Sequence, residues 1–246
     1  MIRLARRGSV VFIAWLSLTA SFMSAADTSP DLALIRARLT DTQRPLTWVM
    51  TGDSITQGAK WLGSTRSYPE QFEEVVRWHL QRRRDFFINT AISGERTDGL
   101  LADFSWRVSR FQPDVVSLMI GMNDAVAGPD GRAAYEANLR TLIASIRALG
   151  AIPVLHRTNP IDTAAEGARS RADLPAYNAI IATVATDTGT VLIDHWNTWQ
   201  AHHPTLDARR QWLADPIHPN TVGHTAFTAA LLEVLGIDAP TPSDPN

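Results

Sequence analysis

The sequence contains no cysteine. Disulfides, thiolate-held zinc, iron–sulfur clusters, a cysteine nucleophile and a lipid-modified cysteine anchor are thereby excluded. Charge of one sign is not in excess either. Lys and Arg number 23 against 25 Asp and Glu, for a net charge of −2. No general basic field exists to hold nucleic acid. A shortage of apolar residues is not found: they make up 45% of the 246 positions, with 20% charged, which excludes a mostly disordered chain. That length suits one domain with a full core, or at most two small ones. No internal repeat is visible.

The N-terminal apolar run, Val10 to Phe22, has 13 residues, against the about 20 that span a bilayer. Arg3, Arg6 and Arg7 precede it, and the small residues Ser24, Ala25 and Ala26 follow. This is the three-part pattern of an export signal, with an uncleaved membrane anchor as the competing reading. Arg6-Arg7 also fits a twin-arginine signal. Residues 1–26 are therefore expected to direct export to the periplasm or medium. Their removal leaves 20 basic and 25 acidic residues, a net charge of −5, and no stable membrane span. An exported chain without cysteine must rely on its packed core.

Residues 27–236 are expected to form one domain, and 237–246, with Pro240, Pro242 and Pro245, a loose tail. A short helix fits Leu32 to Leu39. Short apolar runs at Leu46–Thr51, Phe86–Ala91, Val115–Ile120, Ile152–His156 and Val191–Asp194 read as buried strands. Helical faces lie between them: Tyr68, Phe72, Val75, Val76 and Leu80; Tyr135 through Leu149, stopped by Gly150; Tyr177, Ile180, Ile181 and Val184; and Val222 through Leu235. Residues 98–110 also read as helical. This alternation predicts a parallel sheet covered on both sides, with ligands at the carboxyl ends of its strands.

At the end of the first strand stands Gly52-Asp53-Ser54-Ile55-Thr56-Gln57-Gly58. It is not a P-loop: five residues separate the glycines and Ala59 follows. Nor is it a Gly-x-Ser-x-Gly elbow, because Thr56 stands where the second glycine belongs. An exposed serine nucleophile of another design remains, beside an ordinary structural turn. Such a serine needs a base oriented by a carboxylate. Asp215 and His218, three residues apart before the last helix, can supply both or can merely cap that helix. A developing oxyanion needs donors. Gly94 after the second strand offers a backbone N–H, and Asn123 in Gly121-Met122-Asn123-Asp124 offers an amide.

Together these four fragments resemble, in order and spacing, the SGNH hydrolase superfamily, the GDSL esterases and lipases. The stretch from Asn89 to Asp124 is similar to its bacterial esterase and thioesterase branch. The resemblance covers nearly the whole exported chain. It implies a three-layer α/β/α, flavodoxin-like fold around a five-stranded parallel sheet. It implies Ser54 as nucleophile, His218 as base and Asp215 as its partner. The oxyanion hole would comprise the Ser54 and Gly94 N–H groups and the Asn123 side chain. It implies no cofactor and no metal.

Rival residues remain in view. Asp194 ends the fifth strand and competes with Asp215 for the histidine. Asp53 and Asp124 read as local hydrogen-bond fixtures, and His224 as a packing or surface residue. His156 and His195 read as strand-end residues that line a pocket or serve structure. Adjacent His202 and His203 diverge too far to share a metal. Arg82-Arg83-Arg84 reads as complementing a helix dipole. The expected activity is hydrolysis of a small-molecule ester. Trp61, Trp196, Trp199 and Trp212, near strand ends or motifs, suggest sugar stacking and make acetylated carbohydrate the first substrate. A lysophospholipase or acyl thioesterase is the runner-up, and a non-catalytic glycan-binding domain the alternative of another class.

Overall fold

All five apolar runs become strands. The computed structural model of the chain describes residues 29–238. The export-signal pattern at 1–26 and nearly all of the tail at 237–246 lie outside them. The strands are β1 (Thr47–Gly52), β2 (Phe86–Asn89), β3 (Val115–Met119), β4 (Ile152–Arg157) and β5 (Val191–Asp194). Every neighbouring pair is parallel and the order is β2-β1-β3-β4-β5. The central strands β3 and β4 are buried at every position. That explains their unbroken apolar runs, since a parallel sheet is covered on both faces.

Eight helices matter here: α1 (Pro30–Thr40), α2 (Ser54–Gln57), α3 (Tyr68–Glu74), α4 (Thr97–Ala102), α5 (Arg132–Ala148), α6 (Leu174–Thr188), α7 (His195–His202) and α8 (Thr221–Leu235). One layer packs α3 against α8, and the other packs α5 against α4 and α6. The apolar stripes seen in the sequence are the buried faces: Tyr135, Leu139, Leu142, Ile143 and Ile146 of α5 are all buried. Helix α1 reaches the amino ends of the strands. Ser29 Oγ donates to Gly189 O before β5, and Arg38 Nη1 to Asp114 O before β3.

Three expectations change in detail. Residues 98–110 are not one helix: α4 ends at Ala102, a short turn runs Phe104–Arg107, and a 3-10 turn follows at Ser109–Phe111. Arg82 is buried rather than spread over a helix end. Its guanidinium binds Asp85 at 2.8 and 3.1 Å and the carbonyls of Leu39, Asp41 and Arg44. It ties the end of α1 to the chain entering β1 and β2. His195 opens α7 instead of ending a strand, and both His195 and His156 are wholly inside the core.

The strand order decides where a ligand can bind. The chain leaves β1 first toward β2 and then returns past β1 to β3. The connections at the carboxyl ends of β1 and β3 thus diverge and open a crevice between them. Gly52 makes the close approach there: a Cβ on it would lie 1.9 Å from Met119 O, and its φ is +147°.

Candidate active site

The site assembles from four pieces of chain around that crevice. Ser54 follows β1 as the first residue of α2. Asp53 caps the helix, its Oδ1 accepting the Ile55 N–H at 3.0 Å. The Ser54 N–H, at the helix start, has no acceptor within the helix. Asp53 is fully buried and its Oδ2 has no partner. Burial pushes its carboxyl up to about 7, against the pull of the Ile55 N–H. It is a fixture of the turn, as the sequence suggested.

The loop before α8 brings in the second piece. Asn220 caps that helix by accepting from the Val222 and Gly223 N–H groups. Asp215 and His218 are therefore not needed as caps. Ser54 Oγ lies 2.9 Å from His218 Nε2. His218 Nδ1 lies 2.8 and 3.0 Å from the two Asp215 oxygens. An ionised carboxylate only accepts, so Nδ1 carries the proton and the Nε2 lone pair faces the Ser54 hydroxyl. Asp215 Oδ1 also accepts the backbone N–H groups of Ile217 and His218, both at 2.8 Å. Burial opposes its ionisation, but these amides and the imidazole outweigh it, and its pKa lies below the usual range. Burial likewise lowers His218, only partly offset by Asp215, so the imidazole is neutral at neutral pH.

Asp194 is otherwise engaged. It forms a two-pronged ion pair with Arg157 at 3.0 and 3.1 Å and caps α7 through the Asn197 N–H.

The third and fourth pieces are Gly94 and Asn123. Gly94 has φ +81° and nothing within 4 Å of its Cβ direction, so this turn faces open space. Arg107 holds the turn from beneath. Its wholly buried guanidinium pairs with Glu95 and donates to Thr90 O and Gly52 O. Asn123 is held at both ends: its Oδ1 accepts from Arg171 Nη2 at 2.9 Å, and its Nδ2 donates to Glu95 O at 3.0 Å. Arg171 Nε is itself fixed on Met122 O at 3.0 Å. The arginine settles which end of the amide is oxygen, and one Nδ2–H is left over for a ligand. Asp124 accepts from the Thr97 N–H and hydroxyl and so ties this turn to α4.

The structure thus brings Ser54, His218 and Asp215 into one hydrogen-bonded line. Arg107 and Arg171 carried no signal in the sequence, because each works through backbone atoms of distant segments. The tryptophans sort differently from the sugar-stacking expectation. Trp199 is fully buried and packs on Phe227, and Trp212 packs edge-on against Trp199. Trp61 lies flat on His218. Among the described residues no group of three or more His, Asp or Glu is placed to hold a metal ion.

Comparison with known proteins follows the same geometry. The GDSL-like lipase/acylhydrolase family matches residues 50–226, from β1 into α8. An acetylxylan esterase of Geobacillus stearothermophilus is 27% identical over 161 residues, covering 61% of this chain and 72% of that protein. A solved structure of a catalytic mutant of an acetylxylan esterase from that organism superposes with a TM-score of 0.67 at 23% identity. The match covers 78% of this chain and 95% of the other. An alpha/beta hydrolase enzyme from the metagenome of Lake Arreo, Spain, superposes with a TM-score of 0.65 at 25% identity, over the same shares of the two chains.

Proposed function

Since the chain belongs to the GDSL-like lipase/acylhydrolase family, we propose that this carboxylic ester hydrolase removes acetyl groups from carbohydrates through a Ser54 acyl-enzyme. The observation that carries the chemistry is the continuous line from Ser54 Oγ to His218 Nε2 and from His218 Nδ1 to Asp215. A serine hydroxyl is a weak nucleophile unless such a base takes its proton. The acetylxylan esterase relative supports the acetylated-sugar substrate.

In the first half-reaction Ser54 Oγ attacks the ester carbonyl as His218 Nε2 takes its proton. The oxyanion accepts from the Ser54 N–H, the Gly94 N–H and the spare Nδ2–H of Asn123. Asp215 stabilises the imidazolium and keeps Nδ1 protonated. The intermediate expels the alcohol, to which His218 returns the proton. Water then attacks the acetyl-Ser54 ester with His218 again as base, releasing acetate. Placing the neutral imidazole below its ordinary pKa keeps it competent as a base at neutral pH.

Ser54→Ala is the test. With an activated acetate ester and acetylated xylo-oligosaccharides, turnover falls by at least about 10³-fold while the melting temperature holds. Wild type, but not the variant, gains the mass of an organophosphate label. Retained hydrolysis in Ser54→Ala ends the serine-esterase reading. An ester series from acetate to long acyl chains tests the substrate class. Preference for long chains or thioesters points instead to the lysophospholipase or thioesterase activity. The export-signal pattern of residues 1–26 supports a place for this enzyme outside the cytoplasm. None of the described helices is long and apolar enough to cross a membrane.

A further inference from the structure

We propose that Trp61 is a positioning residue for the base, one that grips His218 and Asp215 together. This inference rests on the reading of Ser54, His218 and Asp215 just given. The indole ring stacks on the imidazole with centroids 3.5 Å apart and planes 12° from parallel. The same indole donates its Nε1–H to Asp215 Oδ2 at 2.7 Å. One side chain therefore touches both partners of the pair, and from a different segment of chain.

Asp215 Oδ1 is held by two backbone N–H groups and also lies 3.0 Å from His218 Nδ1, whereas Oδ2 has only His218 Nδ1, at 2.8 Å, and Trp61 Nε1. Fixed donors on both oxygens resist rotation of the carboxylate about its Cβ–Cγ bond, and on Oδ2 Trp61 is the only donor besides the imidazole. The imidazole is held edge-on by Ser54 and Asp215, contacts that still permit a tilt out of the common plane. A parallel ring at 3.5 Å blocks that tilt on one face. The segment bearing Trp61 is itself anchored to the start of α8, directly after the base's loop: Thr65 Oγ1 and Thr221 Oγ1 are 2.8 Å apart, and Leu62 is buried. Trp61 accordingly covers the back of the base, and that face of its ring is not available to stack on a sugar.

Covering the imidazole also has an electrostatic effect. Burial is the largest cause lowering His218, Asp215 pulls the other way, and the cations Arg171 and Lys60, the latter over the Trp61 ring, lower it further. The indole is part of that cover, and its N–H shares the charge of the carboxylate. Removing it lets water reach the ring and returns the full charge of Asp215 to His218. Both changes raise the pKa of the base. Loss of the cation–π attraction between indole and imidazolium acts in the opposite direction, so the pH profile reads the net of these effects.

Two variants separate the roles. Trp61→Phe keeps a ring over His218 and loses the donor; Trp61→Leu loses both. Measured on an acetate ester with active sites titrated, kcat falls about 10-fold in the first and about 100-fold in the second, the scale of a misplaced catalytic group. KM stays within about twofold, since nothing that touches substrate has changed. The acidic limb of kcat/KM moves to higher pH by roughly half a unit or more in Trp61→Leu. A second readout needs no variant of low stability: the Trp61 indole N–H resonance, identified by its absence in Trp61→Phe, titrates with the midpoint of that limb. Normal kcat in both variants, or a uniform loss with the limb unmoved, or an indole resonance that does not titrate, overturns the proposal. Ser54→Ala run alongside keeps the outcomes apart. If it stays active, the reading of the site has failed; if it is inactive while the Trp61 variants are normal, only the role of Trp61 has.

Discussion

Acid should destabilise this protein well before its carboxylates protonate, because three histidines are buried neutral. His156 Nε2 meets Ser117 Oγ at 2.8 Å, and its Nδ1 meets His195 Nε2 at 2.9 Å. His224 accepts the Tyr68 N–H at Nδ1. Burial drives His156 down to about 3, His224 to about 4 and His195 well below its ordinary value. In the unfolded chain all three return to an ordinary pKa near 6.5. Their stabilisation is therefore complete above that value and is lost as pH falls from there toward the folded values. Between pH 6.5 and 5 His156 and His224 each cost about 1.6 kcal/mol, roughly 3 kcal/mol together, and His195 adds to the loss in the same direction. Asp53 opposes them. Its carboxyl is raised to about 7 in the fold, so the folded state holds a proton that the unfolded state has released. Over the same interval it returns about 2 kcal/mol. His156 and His224 alone outweigh it by about 1 kcal/mol, and His195 widens that loss against the ~5–15 kcal/mol that holds a typical domain. Urea unfolding at constant ionic strength measures it as a lower midpoint at pH 5 than at pH 6.5. Asp53→Asn removes this opposing carboxyl, so its loss over the interval grows by about 2 kcal/mol. A midpoint that holds or rises on acidification in wild type refutes the account of the buried imidazoles. An Asp53→Asn variant with the same pH dependence as wild type refutes that of Asp53.

Asp215→Asn lowers turnover strongly with the fold intact, because the amide favours the wrong tautomer of His218. Asp194→Asn weakens its pair with Arg157 and a helix cap but leaves turnover near wild type, and the reverse ranking moves the role of acid to Asp194. Asn123→Ala lowers kcat by about 10²–10³-fold with little change in KM; normal turnover per titrated site removes this amide from the oxyanion hole. N-terminal sequencing of the exported protein finds a start at or near Asp27, whereas an intact Met1 on a membrane-bound product favours an anchor.

The sequence by itself determined the architecture. Short apolar runs alternating with helical stripes imply a parallel sheet covered on both faces; β2, at the sheet edge, departs from the buried-strand expectation, with Phe86 and Asn89 exposed. It also marked Ser54, Gly94, Asn123, Asp215 and His218, because each sits beside a strand-end or helix-start signal that local chemistry makes visible. The limits of the helices around 98–110 were not legible, since the chain breaks there to bury Arg107 beneath the Gly94 turn. Only the tertiary structure decided how the marked residues meet. Ser54 and His218 are 164 positions apart, and their 2.9 Å contact depends on the strand order and on how α8 packs. The sequence left Asp194 and Asp215 as rivals; the structure engages the first with Arg157 and aligns the second with the imidazole. Arg107 and Arg171 had no local pattern to betray them, and Trp61, marked only by its nearness to the Ser54 turn, gave no sign of its contact with His218. Each acts by touching backbone or side chains brought near by folding, and such partners leave no trace in the residues on either side.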